Sequence, residues 1–264
     1  EQRAFIWNEL RGMQDLGAWG GRNSVALAVN DRGDAVGHGV NSAGHDFAWI
    51  FSERANFFKI IENHPSGAFD INNYGFVVGG SRIDGSQKGF FFHEDVGVMY
   101  LEKTSFAKKI NDQGGVVGYA ISGGLPKSFF WSERGGLIEF GNLIDQSNSP
   151  VALNNDNIVV GNVTDSDLPG GSRPFIWKLD GGICYLRLPV GCGGTASSLN
   201  NQGIIVGTIY CPLTFKEKVM EQVGMLWEYL LVTINKKNGK FRCAKDGQSF
   251  AAIWKYTPPT NDNE

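Results

Sequence analysis

Val29-Asn30-Asp31-Arg32-Gly33-Asp34-Ala35-Val36-Gly37 is the stretch that decides the fold, because the chain repeats it. It returns as Ile71-Asn72-Asn73-Tyr74-Gly75-Phe76-Val77-Val78-Gly79 and as Ile110-Asn111-Asp112-Gln113-Gly114-Gly115-Val116-Val117-Gly118. Further copies are Leu153-Asn154-Asn155-Asp156-Asn157-Ile158-Val159-Val160-Gly161 and Leu199-Asn200-Asn201-Gln202-Gly203-Ile204-Ile205-Val206-Gly207. A degenerate sixth runs from Ile234-Asn235 to Lys240-Phe241, and the leading asparagines step by 42, 39, 43, 46 and 35 positions. Asn-(Asp/Asn)-x-Gly between two apolar runs is a hairpin turn: the Asx side chains close local bonds to the backbone, and Gly takes a positive φ. Asn157 stands where the other copies have Gly, and Asn is the next-best residue there. The β-branched run that follows reads as a buried strand.

A second motif, a short aromatic strand, keeps pace with the first: Phe5-Ile6-Trp7, Trp49-Ile50-Phe51, Phe90-Phe91-Phe92, Phe129-Phe130-Trp131, Phe175-Ile176-Trp177, Met225-Leu226-Trp227 and Ala252-Ile253-Trp254. Core packing is the expected role of Trp7, Trp131, Trp177, Trp227 and Trp254. A third, Gly-led strand lies between, as in Gly12–Gly17, Gly97–Leu101, Gly136–Phe140 and Gly182–Leu186. With the strand that enters the Asn turn, each repeat carries four short strands: aromatic, Gly-led, pre-turn and Val-Val-Gly. Four strands in about 40–45 residues is the unit of a β-propeller blade. The expectation is therefore an all-β chain forming one β-propeller domain over residues 1–264, with six blades, or five as the alternative. The repeats are about 4–46, 47–88, 89–127, 128–173, 174–222 and 223–256, with 257–264 as a flexible tail. The sixth unit is compressed: Trp227 to Asn235 spans 8 positions against 19 to 23 elsewhere. The aromatic strand Phe250 to Tyr256 either completes the last sheet or closes the ring against the N-terminal strand.

Ala4-Phe5-Ile6-Trp7, then Gly12-Met13-Gln14-Asp15-Leu16-Gly17, then Ala28-Val29-Asn30-Asp31 through Gly37 resembles the bacterial HAF-repeat family of extracellular proteins. The likeness covers about residues 3 to 210. It implies a propeller-like repeat fold and an extracellular, periplasmic or cell-surface location, and it supplies no catalytic residues to carry over. The eponymous His-Ala-Phe is absent: Arg3-Ala4-Phe5 and Asp46-Phe47-Ala48 stand instead.

Composition narrows the function classes. With 42% hydrophobic residues and a net charge of −3, the chain is not of the disordered class. No apolar run approaches the roughly 18 residues of a membrane helix. The net charge argues against nucleic acid, and the cluster of Lys236, Lys237, Lys240, Arg242 and Lys245 reads as a solvated hairpin. There is no Cys-x-x-Cys pair to suggest zinc, and no nucleophile elbow, P-loop or dinucleotide fingerprint. The four cysteines fit disulfides in an oxidising compartment or reduced thiols.

In an up-and-down sheet the direction alternates. The Asn turns and the aromatic-to-Gly-led turns therefore share one face, and the other two connections of each repeat share the opposite face. That second face is expected to carry the long, irregular loops, such as 38–46, 80–88, 119–127, 162–173 and 208–222, and with them any site. Candidate ligand-binding residues there are Trp19, Arg22, His38, His45, Asp46, His64, Arg82, Asp84, Asp165, Asp167 and Arg173. Trp19 reads as a stacking platform among glycines, and Asp165, Asp167 and Arg173 form a charged loop. Cys192 and Cys211 fall on the same face and are the candidate disulfide. Phe215, Val219, Met220 and Val223 after Thr214 predict a short helix over about 214–223. No cofactor or metal is expected. The functional expectation is a monomeric, exported, non-enzymatic propeller that binds a protein or carbohydrate ligand through its long-loop face. The alternative is a carbohydrate-active enzyme with paired carboxylates at the channel mouth.

Overall fold

A computed structural model describes residues 1–18, 21–52, 56–61, 64–122, 124–140, 147–211 and 230–233. The chain opens with a ribbon of β1 (Ala4–Asn8) and β2 (Gly12–Gly17). The first full sheet follows as β3 (Asn23–Val29), β4 (Ala35–Val40), β5 (Asp46–Ser52) and β6 (Asn56–Ile61). The second is β7 (Ser66–Ile71), β8 (Val77–Ile83), β9 (Ser86–His93) and β10 (Gly97–Leu101). The third is β11 (Phe106–Ile110), β12 (Val116–Ser122), β13 (Leu125–Ser132) and β14 (Gly136–Glu139). The fourth is β15 (Asn148–Leu153), β16 (Val159–Thr164), β17 (Ser172–Lys178) and β18 (Gly182–Tyr185), and the fifth is β19 (Gly193–Leu199), β20 (Ile204–Tyr210) and β21 (Leu230–Thr233). Each is an antiparallel meander in sequence order, so every sheet begins at a pre-turn strand and draws its strands from two successive sequence repeats. The pre-turn strands β3, β7, β11, β15 and β19 pack on one another in turn, which makes them the inner strands.

The Val-Val pairs explain how sheets stack. Val77 faces the first sheet in one core cluster while Val78 faces the third sheet in the next. Val116 and Val117, and Val159 and Val160, divide in the same way, and all six are fully buried. Side chains of a strand alternate between faces, so a sheet covered on both sides needs two consecutive apolar residues. The aromatic strands follow the same rule. Phe90 and Phe92 look back at the preceding sheet and Phe91 looks forward; Phe175 and Trp177 look back and Ile176 forward.

The closing Gly of Val-Val-Gly has a separate cause. Each inner strand carries a β-bulge at the same place, at Leu27, Phe69, Lys108, Val151 and Ser197. The bulge pushes a backbone carbonyl toward the neighbouring strand. A Cβ on Gly37, Gly79, Gly118, Gly161 or Gly207 would strike the carbonyl oxygen of Val25, Gly67, Phe106, Ser149 or Thr195 respectively. On the other side the rings of Trp49, Phe90 and Phe175 close over the same glycines.

The Asn turns join the sheets as well as closing hairpins. In each, the leading Asn Oδ1 accepts the N–H groups two and four residues on, as Asn111 does from Gln113 at 3.1 Å and Gly115 at 2.7 Å. Its Nδ2 donates to the carbonyl of the leading Asn in the next sheet: Asn30 to Asn72 at 3.0 Å, Asn72 to Asn111 at 3.0 Å, Asn111 to Asn154 at 2.7 Å and Asn154 to Asn200 at 3.3 Å. The second residue runs a parallel ladder. The N–H groups of Asp31, Asn73, Asp112 and Asn155 donate to Oδ1 of Asn73, Asp112, Asn155 and Asn201 at 2.9–3.0 Å. The first place thus needs a side chain that both accepts and donates, which is Asn. The second needs an acceptor, which either Asn or Asp supplies. Asn157 takes the left-handed conformation expected of it, with φ 56°.

Three expectations are corrected. Two of the expected long loops are hairpins: β8 and β9 are joined by Asp84-Gly85 alone, with φ 48° and 79°, and β12 and β13 end and begin at Ser122 and Leu125. Asp-Gly is a strong two-residue turn signal, and the ladder runs up to it through Arg82 opposite Gln87 and Ile83 opposite Ser86. Trp7 is 61% exposed, although Trp177 and its partner Phe130 are buried. It looks back from the ribbon, and no described sheet precedes the ribbon. In the fifth sheet, β21 occupies the third place where Met225-Leu226-Trp227 was expected. Residues 225–227, Trp254 and the helix expected at 214–223 lie outside the described residues.

Candidate functional site

Two cavities of about 370 Å³ each open on the face away from the Asn turns. The first lies where the first three sheets meet. His38 comes from β4, Asp46 from the start of β5, Arg82 from β8 and Gln87 from β9. Pro65, Ser66 and Gly67 bring in the entry to β7, and Phe69 and Phe106 line the inner-strand side. Small residues make the space: Gly67 and Gly80 stand where any side chain would press on Phe69 or Phe106. Backbone bonds fix the frame, with Arg82 N–H donating to Pro65 O at 2.8 Å and the Asn41 side chain closing the loop before Asp46 through the N–H groups of Ala43 and His45. Among the described residues, no ion pair takes up Arg82 or Asp46.

Behind this cavity the bulges of neighbouring inner strands build an aromatic box. The Lys108 ammonium lies 4.2 Å from the centre of the Phe69 ring, 5.4 Å from Phe106 and 5.8 Å from Tyr119. Burial, and then the nearby Lys109 charge, lower the Lys108 pKa, and burial raises that of the Tyr119 phenol. Next to it Asp70 accepts a hydrogen bond from the Ile110 N–H at 3.1 Å and stands 3.7 Å from Lys109 Nζ. Burial raises the Asp70 pKa, and Lys109 and the N–H groups of Ile110 and Ile71 offset part of that rise.

The second cavity lies between the fourth and fifth sheets and is lined by Leu168, Arg173 and Tyr185 together with residues 186–192. Arg173 Nε is 3.2 Å from Asp165 Oδ2, and its guanidinium stacks 5.2 Å above the Tyr185 ring. Cys192, at the cavity edge, is bonded to Cys211 with a Cα–Cα distance of 4.4 Å, which ties the segment before β19 to the end of β20.

The expected residues therefore divide. His38, Asp46 and Arg82 share the first cavity, and Arg173 lines the second with Asp165 bound to it. Asp167 is exposed, its N–H 3.3 Å from Asp165 Oδ1. Arg22 and His45 are exposed and His64 is half-buried, all outside both linings. Asp84 is a turn residue at a hairpin tip. Trp19 lies outside the described residues. Sequence reasoning missed Phe69, Phe106, Gln87, Tyr185 and Lys108. Phe69 and Lys108 were findable as bulky residues in a pre-turn strand where Val, Ser and Leu stand elsewhere, but only a bulge turns those positions inward. No group of three metal-ligating side chains occurs among the described residues, and no helix of these residues is long and apolar enough to cross a membrane.

No family model and no curated protein matches the chain. Solved structures do. TolB from Acinetobacter baumannii superposes with a TM-score of 0.52 at 11% identity, over 77% of this chain and 56% of that one. The chain thus spans little more than half the length of that structure. A gluconolactonase-type protein (TM-score 0.42, 11% identity, 69% of this chain and 70% of that one) and a puromycin hydrolase (0.44, 13%, 70% and 35%) are also similar. The antiparallel four-stranded sheets and the likeness to TolB define the fold as a β-propeller.

Proposed function

We infer that this chain is an exported binding propeller that holds a protein or glycan partner on the face opposite the Asn turns, with the His38–Asp46–Arg82 cavity at the contact. The observation that carries the reading is a preformed cavity of about 370 Å³ whose arginine and aspartate are not consumed by ion pairs of the described residues. Binding sites are concave, largely preformed and furnished with a few convergent polar groups over an apolar floor. Here Phe69 and Phe106 supply the floor. The Cys192–Cys211 disulfide supports an oxidising compartment and hence export. The alternative of a glycosidase needs two carboxylates facing one space. Among the described residues, Asp46 is the single acid lining the first cavity, and none lines the second.

The test is a screen of the full chain against immobilised glycans and cell-surface proteins, followed by titration of the best ligand. Arg82→Ala and Gln87→Ala are expected to weaken that ligand at least tenfold, and Glu94→Ala, on the opposite face, to leave it unchanged. Equal binding by all three would overturn the assignment of the face. Hydrolysis of a bound glycan would overturn the non-enzymatic reading.

A further inference from the structure

The ribbon β1–β2 is the outer half of a blade. Its register matches the outer pairs of the full sheets: Trp7 opposite Met13 corresponds to Phe92 opposite Val98 and Trp131 opposite Leu137. In the four full sheets the aromatic strand is flanked on its inner side by a Val-Val-Gly strand. Among the described residues β1 has no inner neighbour. No described sheet stands behind the ribbon either, and the consequence is visible residue by residue. Phe5 holds the place of Trp49, Phe90, Phe129 and Phe175, which are 0–1% exposed, yet Phe5 is 55% exposed. Met13 is 70% exposed beside it, and all three side chains, with Trp7, look back toward the place of a preceding sheet. Ile6, which looks forward, packs into the cluster with Ala35, Phe47 and Trp49. On the inner strand β3, Leu27 and Val29 are also exposed.

We propose that this edge is taken up by the chain's own aromatic run Phe250-Ala251-Ala252-Ile253-Trp254-Lys255-Tyr256, which adds to β1 as its inner strand and closes the ring, so that the completed sheet turns its back face, with Phe5, Trp7 and Met13, toward the sheet before it. The chain continues beyond β21 in the fifth sheet, the last sheet before the ring returns to the ribbon, so the run has the right place in chain order. When extended it places Phe250, Ala252, Trp254 and Tyr256 on one side and Ala251, Ile253 and Lys255 on the other, and a strand with apolar residues on both sides requires cover on both. Ala251 and Ala252 are small, as a residue beneath the Phe5 ring must be where the full sheets use glycine. They are not glycine, so this joint closes less tightly than the others.

Disulfide trapping in the full-length chain tests the pairing, with Cys192 and Cys211 kept. Phe5→Cys combined with Ala252→Cys is expected to give an intramolecular cross-link in a species of monomer mass, and Phe5→Cys with Phe241→Cys is expected to give none. In the unsubstituted chain, amide exchange of Ile6 and Trp7 is expected to be slowed, though less than that of Phe91 and Phe92. A cross-link to position 241 in place of 252, or one that forms only between two molecules, would overturn the proposal. So would amides of β1 that exchange freely while β9 stays protected, a readout independent of any damage done by the cysteines.

Discussion

The side-chain amide of Asn111 donates to the main-chain carbonyl of Asn154 at 2.7 Å, carrying a hydrogen bond from the third sheet to the fourth. Repeated at Asn30, Asn72 and Asn154, that bond makes the turn motif a joint between blades as well as a hairpin closure.

Asn111→Asp keeps the acceptor for Gln113 and Gly115 but loses the donor, and it sets a carboxylate against the Asn154 carbonyl and Asn157 Oδ1. The expected cost is about 2–4 kcal/mol in a denaturant titration. Asp112→Asn retains an acceptor for the Asn73 N–H but loses the oxygen that accepts the side-chain amides of Asn73 and Asn155 at 3.3 and 3.1 Å, and should cost about 1–2 kcal/mol.

Gly118→Ala drives a methyl into the Phe106 carbonyl and toward the Ala107 Cα. Because backbone cannot yield as a side-chain end can, a loss of about 3 kcal/mol or more is expected, read as a fall in the thermal midpoint. Gly97→Ala meets nothing within 4 Å and carries only the strain of φ 82°, about 1 kcal/mol.

Asp70 has a folded-state pKa above its ordinary value of 3.8, chiefly because it is buried. The folded state therefore holds the proton more tightly than the unfolded chain. Stability from this group is full below 3.8 and falls as pH rises through the folded-state value. Asp70→Asn should flatten the part of the stability–pH curve that lies above about pH 3.8. An unchanged slope would mean that Lys109 fully compensates the burial.

Replacing Cys192 and Cys211 together by serine releases a link spanning 19 residues and is expected to cost about 2–4 kcal/mol. Reductant added to the unsubstituted protein should cost at least as much, because it also opens the disulfide that holds Cys184. Ligand affinity at the first cavity, which lies in the first three sheets, should be unchanged.

Much of the architecture was legible in the residues because it is local and periodic. Asn-Asx-x-Gly fixes a turn through bonds within five residues, and Val-Val or Phe-Phe-Phe announces a strand covered on both faces. Repetition then implies a stack of equal sheets, and the asparagine at position 157 could be assigned its backbone from chemistry alone. The long loops were misplaced because residues 80–88 contain an Asp-Gly pair whose hairpin is fixed by two strands lengthening together, and Trp7 was assigned to the core because burial depends on what stands behind a strand.

What the sequence by itself determined is the unit: four strands, their order, and the turn that joins the inner pair. Only the tertiary structure decided how units meet, since neighbouring sheets belong to residues some forty positions apart. The bulge that turns Phe69 and Lys108 inward, the glycine that must yield to a carbonyl, and the cavity that gathers His38, Asp46 and Arg82 from three strands are products of that meeting. They follow from steric contact and hydrogen bonding across space, for which linear spacing carries no signal.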